Sequence, residues 1–88
     1  MAPYKVLLKP SVEKDLRTLP QQIVARVIRH IEELGETPFP RQSTKLIGAE
    51  QLFRIRVGHY RMIYSVDNEK KQVLVHYVRH RREAYRKR

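Results

Sequence analysis

Residues 52–66 read Leu-Phe-Arg-Ile-Arg-Val-Gly-His-Tyr-Arg-Met-Ile-Tyr-Ser-Val. Two runs of period two, 52–57 and 60–66, flank Gly58-His59. A two-residue linker with glycine first is what a type II′ hairpin wants, because that position needs a positive φ. The stretch predicts two antiparallel strands with Val57 opposite Tyr60 and Arg56 opposite Arg61. Alternation places Arg54 and Arg56 on one face and Phe53, Ile55 and Val57 on the other. One face is apolar and must be covered. The other sets two arginines against each other, which destabilises a sheet unless an anion sits between them.

Downstream, Asp67-Asn68-Glu69-Lys70-Lys71 leads to a third strand over about Gln72–Arg79. If Asp67 pairs with Lys71, Arg61 opposes Tyr77, and Arg79 and Arg81 extend the arginine face. Residues 81–88 form a short basic tail or helix. Upstream, residues 4–9 read as a strand stopped by Pro10, with Ser11 as N-cap of a short helix running to about Thr18. Thr18 and Gln21 have capping-box spacing, and a second helix runs from Leu19 or Pro20 to Leu34. Ile23, Val27, Ile31 and Leu34 make its core stripe, widened by Val24 and Ile28. Gly35 is placed as C-cap, and Pro38 and Pro40 bar continuation. The expected architecture is α+β: an N-terminal strand, a helical hairpin, then a three-stranded antiparallel meander with the helices packed on one sheet face. At this length, residues 1–88 are expected to form one domain.

Charge narrows the function. Nineteen Lys and Arg face nine acids, for a net +10. Residues 1–40 hold six basic and five acidic side chains, a net of +1, whereas residues 41–88 hold thirteen and four, a net of +9. That segregation is the footprint of a protein that meets a polyanion, nucleic acid before an acidic protein. Arginine suits phosphate better than lysine, since its planar fork binds bidentately and stays charged when desolvated. The phosphate-binding candidates are Arg54, Arg56, Arg61, Arg79, Arg81 and Arg82, with Lys45. Only Glu50, Asp67, Glu69 and Glu83 lie in the same half to neutralise them.

Other classes recede. There is no cysteine, which excludes disulfides and thiolate metal sites and suits a reducing cytosol. The opening apolar run, Val6-Leu7-Leu8, is too short for a signal peptide or membrane span, so a soluble cytoplasmic protein is expected. No His-Glu-x-x-His, phosphate loop or nucleotide-binding glycine fingerprint occurs. His76 and His80 would lie about 13 Å apart on a strand, too far to share a metal. A cationic cluster with a general base fits cleavage without metal or cofactor, in which an RNA 2′-hydroxyl attacks its own adjacent phosphate while arginines neutralise the growing charge. Tyr85, among Arg81, Arg82 and Arg86, is a candidate base, since neighbouring cations favour phenolate. Its bland role is packing or base stacking. His80 is the second candidate for proton transfer.

The whole chain resembles the RelE/ParE superfamily of toxin–antitoxin toxins. The likeness is carried by the opening strand and helical hairpin, Thr-Lys-Leu-Ile-Gly at 44–48, Leu-Phe-Arg-Ile-Arg-Val, Gly-His-Tyr-Arg-Met-Ile-Tyr, and Arg-His-Arg-Arg-Glu-Ala-Tyr. The RelE branch cuts ribosome-bound mRNA, and the ParE branch poisons DNA gyrase. Arg54, Arg56, Arg61, Arg81 and Tyr85 match the places where RelE-like toxins carry their functional residues, although many relatives have lysines where Arg54 and Arg56 stand. Catalytic roles for Arg61, Arg81 and Tyr85 are what that match implies. The resemblance further implies a small antitoxin with an acidic toxin-binding segment, and operator DNA reached only through that antitoxin. Three functions are carried forward: a ribosome-dependent, metal-independent endoribonuclease, a ParE-like gyrase inhibitor, and a non-catalytic basic RNA-binding protein. The third lacks stacking aromatics on the basic strands, where Tyr77 is the lone candidate.

Overall fold

The computed structural model describes residues 3–46 and 52–84. Its elements are β1 (Lys5–Leu8), α1 (Pro10–Thr18), α2 (Gln21–Glu36), β2 (Ser43–Lys45), β3 (Leu52–Val57), β4 (Tyr60–Asp67), β5 (Gln72–His80) and α3 (Arg81–Ala84). The strands form one sheet in the order β1-β5-β4-β3-β2. Neighbours are antiparallel except β1, which runs parallel to β5 with Val6 beside Val73 and Leu8 beside Val75. A parallel neighbour needs a long crossover, and the two helices supply it on the way from β1 to the meander. This is the expected α+β architecture, with the added strand β2 at the far edge.

The helices close one face. Val12, Val27 and Leu34 are buried against Ile55, Val57, Met62, Tyr64, Val66, Val73, Val75 and Val78. Burying each such aliphatic side chain is worth about 1.5–3 kcal/mol. Tyr64 adds a polar anchor, its buried hydroxyl donating to the Pro38 carbonyl at 2.8 Å, which ties the segment after α2 to the core. Ile28, expected to widen the core stripe, is instead 42% exposed; it lies on the outer side of α2.

Helix ends differ from expectation for identifiable reasons. Pro10 takes the first helical position of α1, which its fixed φ favours, so the N-cap is Lys9 and not Ser11. Ser11 instead donates its hydroxyl to the His76 carbonyl at 2.7 Å. Thr18 makes no capping box: its hydroxyl donates to the Asp15 carbonyl, and Pro20 is the N-cap of α2. Gly35 is helical and buried, its carbonyl accepting from Tyr4 N–H at 3.0 Å. The helix therefore ends at Glu36, with Thr37 N–H bonding back to the Glu33 carbonyl.

The β3–β4 hairpin has the expected register, Val57 against Tyr60 and Arg56 against Arg61. Gly58 has φ +63° while His59 avoids positive φ, as a II′ turn requires. A Cβ on Gly58 would also lie 3.3 Å from Ile23 Cδ1. The β4–β5 connection corrects the expected pairing. Asp67 Oδ1 accepts from the N–H groups of Glu69 and Lys70, Lys71 adopts φ 56°, and Asp67 pairs with Gln72 rather than Lys71. A second shift follows at a bulge: Tyr64 pairs with Val75 but Ile63 with Tyr77, leaving His76 extra.

Candidate nucleic-acid interface

The face away from the helices is built by strand parity. Arg56 opposes Arg61, and Arg61 opposes Arg79, so three arginines form one row across β3, β4 and β5. Arg79, not Tyr77, is therefore the partner of Arg61. One step along, Arg54 and Tyr77 flank Ile63. The guanidinium of Arg79 lies over the Tyr77 ring, 4.6 Å from its centroid, a favourable cation–π contact.

The bulge is what aims these side chains. An extra residue in one strand changes the face on which everything after it lies. Were His76 paired in a regular ladder, Arg61 would meet Val78, and Arg79 would point among the apolar residues beneath the helices. His76 is secured on both sides: its Nε2 shares a 2.9 Å hydrogen bond with Ser65 Oγ, and its carbonyl accepts from Ser11. Burial, reinforced by the Lys9 charge, holds the imidazole below its ordinary pKa.

Arg61 is the centre of the row and is only 7% exposed. One terminal nitrogen donates to the Tyr60 carbonyl at 3.0 Å and reaches the Gly58 carbonyl at 3.4 Å. Among the described residues, its Nε has no hydrogen-bond partner. A buried donor without a partner on a cation, between two further cations, is an unfilled demand for an anion. A phosphate oxygen has the charge and acceptor geometry to meet it.

Other predicted residues are distributed less simply. Arg81 and Arg82 are exposed at the start of α3. Arg81 N–H bonds the His59 carbonyl at 2.8 Å, which fixes the helix start beside the β3–β4 turn. Lys45 pairs with Phe53 and His80 with Tyr60, so parity gives both to the helix-side face, opposite the row. His80 packs on Tyr60 with ring centroids 5.6 Å apart and accepts from Arg82 N–H at 3.3 Å. It lines a cavity of about 270 Å³ with Asp15, Thr18, Leu19, Tyr60, Val78 and Arg79, the last a member of the row. Tyr85 lies outside the described residues. Among the described residues, no three His, Asp or Glu side chains gather as metal ligands do. No helix among them is long and apolar enough to cross a membrane.

One residue of the site has no signal in the sequence, and another has a different partner from the one expected. Tyr77 was expected to oppose Arg61 but instead supports Arg79. Asp15, in the amphipathic pattern of α1, reaches Arg79 with Oδ2 3.9 Å from Nε; nothing in its local sequence signals that.

Residues 6–85 match the family model described as the ParE toxin of the type II toxin–antitoxin system, parDE. The chain belongs to the RelE/ParE superfamily of type II toxins. Toxin RelG of Mycobacterium tuberculosis is 30% identical, over 97% of this chain and 99% of that protein. A putative toxin RelE1 of Methanocaldococcus jannaschii is 27% identical, over 94% of this chain and 96% of its own length. Among solved structures, the archaeal RelE–RelB complex from Pyrococcus horikoshii superposes with a TM-score of 0.80 at 32% identity, covering 90% of this chain and 96% of that one. The chain is accordingly a toxin-type member of a toxin–antitoxin system.

Proposed function

We propose that this RelE/ParE-superfamily chain is a ribosome-dependent endoribonuclease that cuts mRNA during translation. The observation that carries this reading is the Arg56–Arg61–Arg79 row, with Arg61 buried and its Nε unpartnered. In the proposed reaction the 2′-oxygen forms a bond to the adjacent phosphorus and the bond to the 5′-oxygen breaks. The upstream fragment ends in a 2′,3′-cyclic phosphate, and the departing 5′-oxygen takes up a proton. The row stabilises the charge that builds on the phosphoryl oxygens, with Arg81 as a further cation and Arg54 and Arg82 on the RNA backbone. Tyr85 is the proposed base for the 2′-hydroxyl, with His80 as the alternative; the helix-side placement of His80 favours Tyr85. No step calls for a metal or cofactor.

The partner is proposed to be an antitoxin, by analogy with the archaeal RelE–RelB complex, and an acidic segment of it is proposed to cover the row. The +9 charge of residues 41–88 makes such pairing electrostatically favourable. Operator DNA would be met only through that antitoxin, and the site of action would be the ribosome in the cytoplasm.

One observation favours a second reading, gyrase inhibition: the matching family model is the ParE one. Mapping mRNA ends on translating ribosomes after induction separates the two. Cleaved messages with unchanged supercoiling support the ribonuclease, whereas uncut messages with gyrase–DNA adducts move the chain to the inhibitor branch.

A further inference from the structure

Beyond Val75, β5 loses β1 as a neighbour, and α1 takes over its outer edge. Lys9 N–H reaches the Val75 carbonyl at 3.0 Å, Ser11 donates to the His76 carbonyl, and Val78 N–H donates to Asp15 Oδ2 at 3.0 Å. The same Oδ2 lies 3.9 Å from Arg79 Nε. Asp15 is mostly buried, its side chain 19% exposed, so its carboxylate is located by main-chain geometry rather than by solvent. An arginine in that position is restrained from two directions, by a fixed anion and by the Tyr77 ring.

We propose that Asp15 is a positioning residue that orders the Arg79 guanidinium at the end of the arginine row before substrate arrives. The proposal rests on the row being the phosphate site. A free arginine carries much rotamer entropy, and ordering it during the reaction would subtract from the stabilisation it gives. A guanidinium already placed costs no reorganisation when charge develops on phosphorus. Asp15 also offsets part of the repulsion between Arg79 and Arg61, which face each other directly.

The alternative role for Asp15 is only to satisfy the exposed edge of β5, and Asp15→Asn distinguishes the two. An asparagine oxygen still accepts from Val78 N–H, but the charge that holds Arg79 is gone. Losing a carboxylate makes the face more positive, so RNA should bind as well or better while the chemical step slows. The expected result is a kcat for ribosome-bound mRNA reduced about tenfold, with KM unchanged or lower. Asp15→Glu should recover part of the rate. In an Arg79→Gln background Asp15→Asn should add no further loss, since the group it positions is absent.

A second measurement does not depend on cleavage. In the wild-type protein the Arg79 Nε–H signal, assigned by its loss in Arg79→Gln, should be dispersed and slow to exchange with solvent. In Asp15→Asn it should move toward the position of free arginine side chains and exchange faster, the Tyr77 ring alone remaining to hold it. Thermal unfolding confirms that each variant is folded. Equal kcat and KM in Asp15→Asn, or an Arg79 signal that does not move, overturns the positioning role. If wild-type protein leaves mRNA uncut, the ribonuclease reading fails by itself, and the Arg79 signal still decides whether Asp15 holds it.

Discussion

The two faces of this sheet obey opposite rules although they share every strand. On the helix side, Ile55, Val57, Met62, Tyr64 and Val78 are almost wholly buried and support one another. On the other side, Arg56, Arg61 and Arg79 face one another as like charges. The first face lowers the free energy of the fold by removing apolar surface from water. The second raises it, and retains an unsatisfied donor as well. A polypeptide of 88 residues has little stability to spare. The contrast therefore teaches that one face holds the fold and that the other adds nothing to it, which is what the proposed phosphate site requires.

That division can be broken most forcefully from the helix side. Ile55→Ala leaves a void among Val57, Met62 and the helices and should cost about 3 kcal/mol. Denaturant unfolding at constant protein concentration would measure it. A loss under 1 kcal/mol would mean that this face does not bear the stability assigned to it.

The same comparison is sharpened from the arginine side with Arg61→Met, which keeps an apolar stem of similar reach and deletes the guanidinium. Cleavage of ribosome-bound mRNA should fall about a hundredfold, as when one preorganised donor to a developing charge is removed. The melting temperature should hold or rise, because two like-charge pairs and an unpaired buried donor vanish together. A variant that is folded but cuts at the wild-type rate would dismantle the proposed site.

The smallest effect concerns pH. His76 at the bulge and His30 on α2 both have pKa values lowered from the ordinary 6.5, with burial the largest cause in each. The Lys9 charge adds to the effect at His76. At His30, Glu33 opposes it while Arg26 and Arg29 reinforce it. In the window below 6.5 the unfolded chain binds protons that the folded chain resists, so stability should decline as pH falls and level off once both folded-state pKa values are passed. Above 6.5 these two groups contribute no slope. His76→Gln should flatten the decline in a series of unfolding curves from pH 7.5 to about 5; an unchanged slope would assign it to other groups.

How far the sequence discloses all this depends on how local each cause is. The hairpin at Gly58-His59 was legible because a two-residue loop admits few geometries and glycine at its first position selects one. The position of Arg61 opposite Arg56 follows from it. The pairing of Arg79 with Arg61 was not legible, because it results from two one-residue displacements. Lys71 adds one by adopting a positive φ, and His76 adds the other at the bulge. Neither carries a glycine or proline to announce it. The two shifts restore the original parity, so Arg79 lies on the face that alternation predicts although its register differs by two residues. β2 was invisible because Ser43–Lys45 is too short and polar to show alternation. Asp15 was missed because its partners lie 63 and 64 positions away on β5, a distance that no local pattern spans.

The bulge at His76 gives β5 something like a reading frame. A strand is decoded in steps of two, and residues before and after the bulge are decoded in different phases. Point substitutions in 72–80 change one letter. Straightening the bulge with every residue kept would shift the phase, sending Val78 outward and Arg79 toward the interior, whereas deleting His76 would leave Val78 opposite Met62 and Arg79 opposite Arg61. Descendants of this chain should thus tolerate the loss of one residue from β5 at His76 and scarcely anywhere beyond it.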